Sequence, residues 1–159
     1  GEQTHPEIEE FRRQFVGVVE GTKNERISAE KEVQFLYDFV ELNKMRIPKR
    51  DNIRININID WDEQPTQIAP LLVIPYIENA FKYGVNPDQT SEIYIKIDIE
   101  EEILTLYVSN KKTFSVQSDS GIGLQNTVER LKLVYPNKHA LMIEDTAEKY
   151  VVNLSVKIR

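Results

Sequence analysis

An alternating run of isoleucine and polar residues at positions 53–60 constrains the fold of this chain more than any other feature. Isoleucine fills every second position, and a polar residue stands at each position between (Ile53, Ile55, Ile57, Ile59; Arg54, Asn56, Asn58, Asp60). Because successive side chains of a strand point to opposite faces, this pattern predicts a strand with one buried face. Residues 93–99, 103–109, 141–145 and 150–158 show similar patterns, and we interpret the last two as a final hairpin. The chain therefore needs a second layer that covers one face of a sheet.

Three stretches with helical spacing are candidates for that layer. Residues 7–46 are interpreted as helical with an interruption near residue 22, and Ser28 is the predicted N-cap of their second part. Glu30 and Glu32 follow in the first turn, where the helix dipole favours carboxylates. Residues 68–83 form the next predicted helix, in which Pro75 is expected to cause a kink or a restart. Residues 124–134 form the third predicted helix.

The predicted order of elements is α-α-β-α-β-β-α-β-β. Strands that can pair as hairpins, with helices that can cover one face, predict an α/β (α+β) fold, a two-layer sandwich with a mostly antiparallel sheet covered by helices. The 159 residues suffice for one domain with an appendage. We place a helical segment at residues 1–48 and the main domain at residues 49–159.

Composition excludes several classes of function. The formal net charge of −6 argues against nucleic acid or an anionic membrane surface as a partner. The absence of cysteine excludes disulfides and thiolate metal sites, and it fits a cytosolic environment. No apolar run approaches the ~20 residues of a membrane span. Gly1 resembles a cleavage scar, so we expect the chain to be part of a larger protein.

The first motif, residues 75–84, reads Pro-Tyr-Ile-Glu-Asn-Ala-Phe-Lys-Tyr-Gly. Asn79 and Tyr83 are i and i+4 neighbours on a helix, and Lys82 lies beside them. An amide oxygen from Asn79 suits Mg²⁺, which prefers hard oxygen ligands, while Lys82 offers a charge to a phosphate. The phenol of Tyr83 can donate a hydrogen bond to phosphate or ribose. Glu78 has two open interpretations, a catalytic carboxylate and a structural salt bridge.

The second motif, residues 121–131, opens a helix with two glycines, so that bare backbone N–H groups at the positive end of the dipole can approach an anion. We expect Arg130 to pair with an acidic neighbour and not to touch a ligand. The two motifs together predict a site for a metal-bound polyphosphate. The candidate contacts of the second motif are Gly121, Ile122, Gly123, Leu124, Asn126 and Thr127.

In this order, and about forty residues apart, the motifs resemble the N-box and the second glycine box of the histidine-kinase ATPase domain. The LytS-like branch of sensor histidine kinases is the most similar, and residues 27–46 resemble the segment that precedes its ATPase core. The resemblance implies a Bergerat-type (GHKL) ATPase fold that binds ATP and Mg²⁺. It implies Asn79 as the magnesium ligand, and it makes Glu78 and Asn79 the candidate catalytic residues.

The adenine-binding box departs from that family, which has Asp-x-Gly-x-Gly after a strand. Here the strand over residues 104–109 is followed by Asn110, whose side-chain oxygen can accept the same hydrogen bond without a charge. A competing interpretation takes Asp119, Gly121 and Gly123 as that box. We prefer Asn110 because the two glycines belong to the second motif, and we interpret residues 111–120 as a short lid.

The resemblance implies the ATP-binding catalytic domain of a bacterial two-component sensor histidine kinase. Such a domain would transfer the γ-phosphate to a histidine in its own dimerisation segment, outside this chain, for relay to a response regulator. The full-length protein would be a homodimer, anchored in the membrane by a missing N-terminal part, with this domain in the cytoplasm and residues 1–48 as the end of the dimerisation linker. We interpret His5 and His139 as surface residues. The degenerate adenine box leaves an alternative, a nucleotide-free pseudokinase that serves as a dimerisation or regulator-docking module.

Overall fold

The computed structural model describes residues 25–113 and 122–159, and the side chains of all of these except residues 122 and 123. The predicted helix before residue 25 lies outside the described residues, as do His5, Asp119 and Gly121. Along the chain the elements are β1 (Ile27–Ser28), α1 (Ala29–Met45), β2 (Ile53–Trp61), β3 (Gln67–Ile68), α2 (Ile74–Gly84), β4 (Ser91–Glu100), β5 (Ile103–Lys111), α3 (Ile122–Val134), β6 (His139–Asp145) and β7 (Lys149–Lys157).

Five of the strands form one sheet in the order β2-β4-β5-β7-β6, and β1 pairs with β3 separately. The pairing of β2 with β4 is parallel, whereas the other three pairings in this sheet are antiparallel. The helices cover the face that carries the buried side chains of the strands. The predicted two-layer α+β fold with a mostly antiparallel sheet is therefore confirmed.

The period-two patterns of the sequence coincide with burial in the sheet. In β4 the isoleucines at 93, 95, 97 and 99 are all at most 2% exposed, while the residues between them are exposed or half-buried. The predicted inward positions 152, 154, 156 and 158 of the last strand are also buried. These side chains form one apolar core with the helices.

Helix α1 begins where the sequence predicts. Ser28 is its N-cap, and the Ser28 side chain accepts a hydrogen bond from the Lys31 N–H at 3.2 Å. Leu36, Phe39 and Val40 join the same core as the sheet. The domain boundary near residue 48 stays a prediction, but the core includes residues on both sides of it.

The helix predicted at residues 68–83 is shorter than expected. Gln67–Ile68 forms strand β3, and the helix begins at Ile74 with Pro75 in its first turn. Proline has no N–H to donate, and the first turn is the place where a helix does not need one. Pro75 therefore starts the helix and does not kink it. Among the described residues, no helix combines the length and apolarity that a membrane crossing requires.

Candidate functional site

Helix α2 carries the first motif at the surface of the core. Ile77, Ala80 and Phe81 are buried against the sheet. Asn79 and Tyr83 are half-buried on another side of the helix, as is Glu78. Lys82 is exposed, and its Nζ lies 5.4 Å from the centre of the Tyr83 ring, a cation–π distance.

The carboxyl end of α2 approaches β5 closely. A Cβ atom placed on Gly84 would lie 2.8 Å from the Cβ of Asn110, a distance that forbids any larger residue without a shift of the helix. The Tyr83 carbonyl accepts hydrogen bonds from the N–H and the hydroxyl of Thr113, at 3.3 and 2.9 Å. The end of the first motif, Asn110 and the residues after β5 therefore meet at one place.

Asn110 itself is buried with one polar atom unsatisfied. Its side chain is 1% exposed, and its Nδ2 donates to the Lys111 carbonyl at 3.2 Å. Its Oδ1 is one of three buried side-chain polar atoms in the described part of the chain that have no hydrogen-bond partner. The sequence placed Asn110 after the strand, but it lies within β5, opposite Ile93 and Tyr150. A buried acceptor without a donor fits a site for a ligand that brings an N–H group.

Tyr76 is a polar group near this place that the sequence analysis did not identify. It is 1% exposed, and its hydroxyl also has no partner within the described residues. Burial, with a smaller effect of Tyr150, raises the pKa of Tyr76 to about 12. Tyr150, which pairs with Asn110 across the strands, is half-buried. The only signal in the sequence is a tyrosine within the apolar face of the first motif.

Helix α3 carries the part of the second motif that the structure describes. Ile122 and Gly123 are its first residues, and Leu124 packs against the core. Asn126 is exposed, whereas Thr127 is buried. Gly121 lies outside the described residues, so the predicted backbone cradle stays a prediction.

Arg130 of α3 and Glu32 of α1 converge on the segment that leads into α2. We call residues 66–73 the connector. Arg130 donates to the carbonyls of Pro70 and Leu71 at 2.7 and 3.4 Å. The Glu32 carboxylate accepts the N–H groups of Leu71 and Leu72 at 3.1 and 3.3 Å.

Glu32 has a different environment from the one its position in the first turn of α1 suggested. It is fully buried, and this burial raises its pKa to about 7, although the two N–H groups and nearby Arg130 act in the opposite direction. Arg130 thus has an acidic neighbour, as expected, while its hydrogen bonds go to carbonyls. Glu30 is exposed, as a residue that only complements the helix dipole would be.

A separate groove of about 830 Å³ lies on the opposite face of the sheet. Its lining includes outward-facing residues such as Arg54, Tyr94 and Lys111 together with Lys149. None of the predicted site residues lines it, so the candidate site is the one beneath and around α2.

Comparison with known proteins shows similarity in sequence and in fold. No family model matches the chain. The sensor histidine kinase/phosphatase LytS of Staphylococcus aureus (strain Mu50) is 27% identical over 149 residues, which cover 84% of this chain and 25% of LytS. The chain thus spans about a quarter of the length of the curated relatives it matches.

Several solved structures that are similar in fold are histidine kinase domains. The nucleotide-free catalytic domain of the histidine kinase ThkA has a TM-score of 0.52 at 13% identity, covering 84% of this chain and 94% of that one. The histidine kinase domain of Erythrobacter litoralis EL346 has a TM-score of 0.53 at 13% identity, covering 96% and 76%. The chain is therefore homologous to LytS sensor histidine kinases, and its fold is that of a histidine-kinase catalytic domain.

Proposed function

We propose that this chain is the ATP-binding catalytic domain of a two-component sensor histidine kinase. The observation that carries the proposal is the buried Oδ1 of Asn110, an acceptor without a partner that lies directly against the end of the first motif. An adenine amino group is a donor of the kind that this atom lacks. The close approach of Gly84 holds the carboxyl end of the Asn79 helix against Asn110, which supports a ligand that contacts both residues.

Each residue of the site has a proposed role. Asn79 would hold Mg²⁺ through its amide oxygen, and Lys82 and Tyr83 would contact the phosphates. Asn110 would accept from the adenine. Glu78 stays the candidate carboxylate for proton transfer. The second motif would contribute backbone donors and polar contacts at Gly121, Ile122, Gly123, Leu124, Asn126 and Thr127.

When bound, ATP supplies a transferable phosphoryl group. In phosphoryl transfer the protein contributes mainly positioning and charge neutralisation. Asn79 and Lys82 lie on one rigid helix that is anchored at its carboxyl end by Gly84 and Thr113, and such anchoring favours fixed geometry. The chain therefore needs no covalent chemistry of its own to serve this reaction.

The partners belong to the proposal as well. We infer a phosphoacceptor histidine in a dimerisation segment outside this chain, a homodimeric full-length protein, and a membrane anchor with this domain in the cytoplasm. A response regulator is the proposed recipient of the phosphoryl group. One similar structure, at a TM-score of 0.51 and 11% identity, is the ThkA kinase in complex with its response regulator TrrA, which supports this assignment.

The test is calorimetric titration with a non-hydrolysable ATP analogue, in the presence of Mg²⁺ and of a chelator. Asn79→Ala should weaken the magnesium-bound complex more than the metal-free one, because it removes one ligand oxygen. Asn58→Ala, which changes an exposed asparagine on β2, is the matched control and should bind normally. An unchanged magnesium-dependent part of the affinity in Asn79→Ala would contradict the metal role. A folded wild-type chain that binds no nucleotide would favour the pseudokinase alternative.

A second test concerns the phosphoacceptor. Incubation of the chain with labelled ATP should give no acid-labile phosphoprotein, because the proposed acceptor histidine lies elsewhere. Phosphate on His5 or His139 would show that the acceptor had been placed wrongly.

A further inference from the structure

We propose that Glu32 and Arg130 are positioning residues that hold the connector from two sides and thereby make the placement of the Asn79 helix depend on α1. The part of this inference that concerns nucleotide affinity rests on the proposed function. The mechanical part, that α1 and α3 hold the amino end of α2 through the connector, rests on the structure alone.

Almost every residue of the connector makes a hydrogen bond to another part of the chain. The Thr66 carbonyl accepts from the Ala29 N–H at 2.9 Å, and β3 pairs with β1 at the next two residues. The Ala69 N–H donates to the Tyr135 hydroxyl at 2.9 Å. The Arg130 and Glu32 contacts then cover residues 70–72. These hydrogen-bonding groups come from β1, from α1, and from α3 and the residue that follows it.

The connector requires these side chains because its own backbone makes neither helix nor sheet after Ile68. Buried N–H groups without a partner are costly, and a carboxylate is the side chain that can accept two of them at once. Leu71 adopts a left-handed backbone conformation with φ 56°, which a non-glycine residue keeps only when its surroundings hold it. Arg130 donates hydrogen bonds to the carbonyls of Pro70 and Leu71, and its positive charge also balances the buried charge of Glu32.

The connector is hydrogen-bonded directly to the first turn of α2. The N–H groups of Tyr76 and Ile77 both donate to the Val73 carbonyl, at 3.1 and 3.3 Å, so the first turn of the helix is bonded to the last connector residue. Only Val73 lies between Leu72, whose N–H donates to Glu32, and the first residue of the helix that bears Asn79. Glu32 and the connector therefore link α1 to the amino end of α2.

Hydrogen exchange by mass spectrometry on the full chain tests the mechanical part. The variants are Glu32→Gln and Arg130→Met, with Glu30→Gln and Lys132→Met as controls that remove an exposed charge from the same two helices. Glu32→Gln should raise exchange in the connector and in α2 more than in the β4–β5 hairpin, and Arg130→Met should do the same. The controls should match the wild type. Equal rises in all elements, or a rise confined to the connector, would overturn the inference.

Titration with the magnesium-bound ATP analogue tests the second part. Glu32→Gln and Arg130→Met should each weaken binding about fivefold or more, the usual size of a coupling between sites, while the controls leave it unchanged. Unchanged affinity in variants whose α2 exchanges faster would overturn the link to nucleotide. If the wild type binds no nucleotide, the proposed function fails, and exchange still decides the mechanical part.

If the Glu32→Gln variant does not fold, Glu32→Asp replaces it in both experiments. It keeps the charge but is one methylene shorter, so it should produce the same pattern with smaller changes. A Glu32→Asp variant that folds and exchanges like the wild type in both the connector and α2 would contradict a positioning role for this carboxylate.

Discussion

The two buried polar groups that flank α2 differ in how completely their atoms are paired. At the amino end of the helix, Glu32, Arg130 and Tyr135 all bond to the backbone of the connector. Beneath the same helix, Asn110 Oδ1 near its carboxyl end and the Tyr76 hydroxyl of its first turn are buried with no partner among the described residues. We call the first group saturated, because its members bond to the connector, and the second group unsaturated, because these two atoms have no partner in the described part of the chain.

This difference has an energetic meaning. A satisfied buried hydrogen bond contributes about 1 kcal/mol net, whereas an unsatisfied buried group costs about 1–3 kcal/mol. The chain tolerates that cost in the unsaturated group and avoids it in the saturated group. The saturated group is therefore expected to maintain the fold, and the unsaturated group is expected to recognise a ligand.

The largest effect should come from breaking the saturated group. Arg130→Met leaves the Glu32 carboxylate without its neighbouring cation and should lower the free energy of unfolding by about 3 kcal/mol, measured by urea denaturation. Lys132→Met, an exposed change on the same helix, should have little effect. Equal stability of the two variants would show that the Arg130 contacts do not maintain the fold.

The pH dependence of stability sharpens the same point. Burial raises the pKa of Glu32 to about 7 from an ordinary 4.5, so between these pH values the folded chain binds a proton that the unfolded chain has lost. The contribution of Glu32 to the free energy of unfolding is fully present below pH 4.5. This contribution should decrease by about 2–3 kcal/mol in total as the pH rises to 7.

Glu32→Gln should lack that fall, and the difference between the two denaturation profiles measures it. The other ionisable groups that influence this carboxylate or its immediate neighbours are Arg130, Tyr135 and Arg26, and arginine and tyrosine keep their charge state across this window. Parallel profiles for wild type and variant would mean that the carboxylate stays ionised throughout.

The unsaturated group should respond in the opposite way to loss of its polar atom. Asn110→Leu should weaken ATP binding by about 1–3 kcal/mol, with almost no effect on a phosphate-only ligand and only a small loss of folding stability from the lost Nδ2 bond to the Lys111 carbonyl. Asn110→Asp should bind adenine as well or better, because a charged acceptor makes a stronger hydrogen bond but costs more to desolvate. If Asn110→Leu binds ATP normally and Asp119→Leu does not, the adenine contact lies at Asp119.

The smallest effects compare two buried tyrosines by removal of a single oxygen atom. Tyr135→Phe removes the acceptor of the Ala69 N–H and should cost about 1 kcal/mol of unfolding free energy. Tyr76→Phe removes a hydroxyl without a partner, so it should leave stability unchanged or raise it by up to about 1 kcal/mol. Thermal melts of the two variants measure both changes. A destabilised Tyr76→Phe would mean that the two groups do not differ as described.

Regular patterns made much of the fold predictable. The alternation of isoleucines identified the strands, and Ser28 identified the start of α1, because both depend on local periodicity or local hydrogen bonding. Asn79 was proposed from the first motif, and Asn110 from its place after a strand where the resembled family has an aspartate; the contact of both with a nucleotide stays a prediction. The predicted helix start at residue 68 was wrong, and β3 was not predicted, because the connector follows no period.

The roles of Glu32 and Tyr76 could not be predicted for a different reason. Glu32 contacts backbone atoms that lie 39 and 40 residues away in the chain, and no local pattern marks such a partner. Its place in the first turn of α1 had a sufficient local explanation, which concealed the other role. Tyr76 sits in an apolar face where a tyrosine looks like any other large core residue.

The parallel pairing of β2 with β4 has a consequence for the order in which the molecule can fold. Two parallel neighbours need a long crossover between them, and here that crossover is residues 62–90, which contain the connector and α2. The β4–β5 and β6–β7 pairs can close through short turns, whereas β2 can pair with β4 only when the crossover spans the distance between them. We therefore expect the edge strand and the helix that bears Asn79 to be acquired together, so a chain that lacks this part of its site should also have an incomplete sheet.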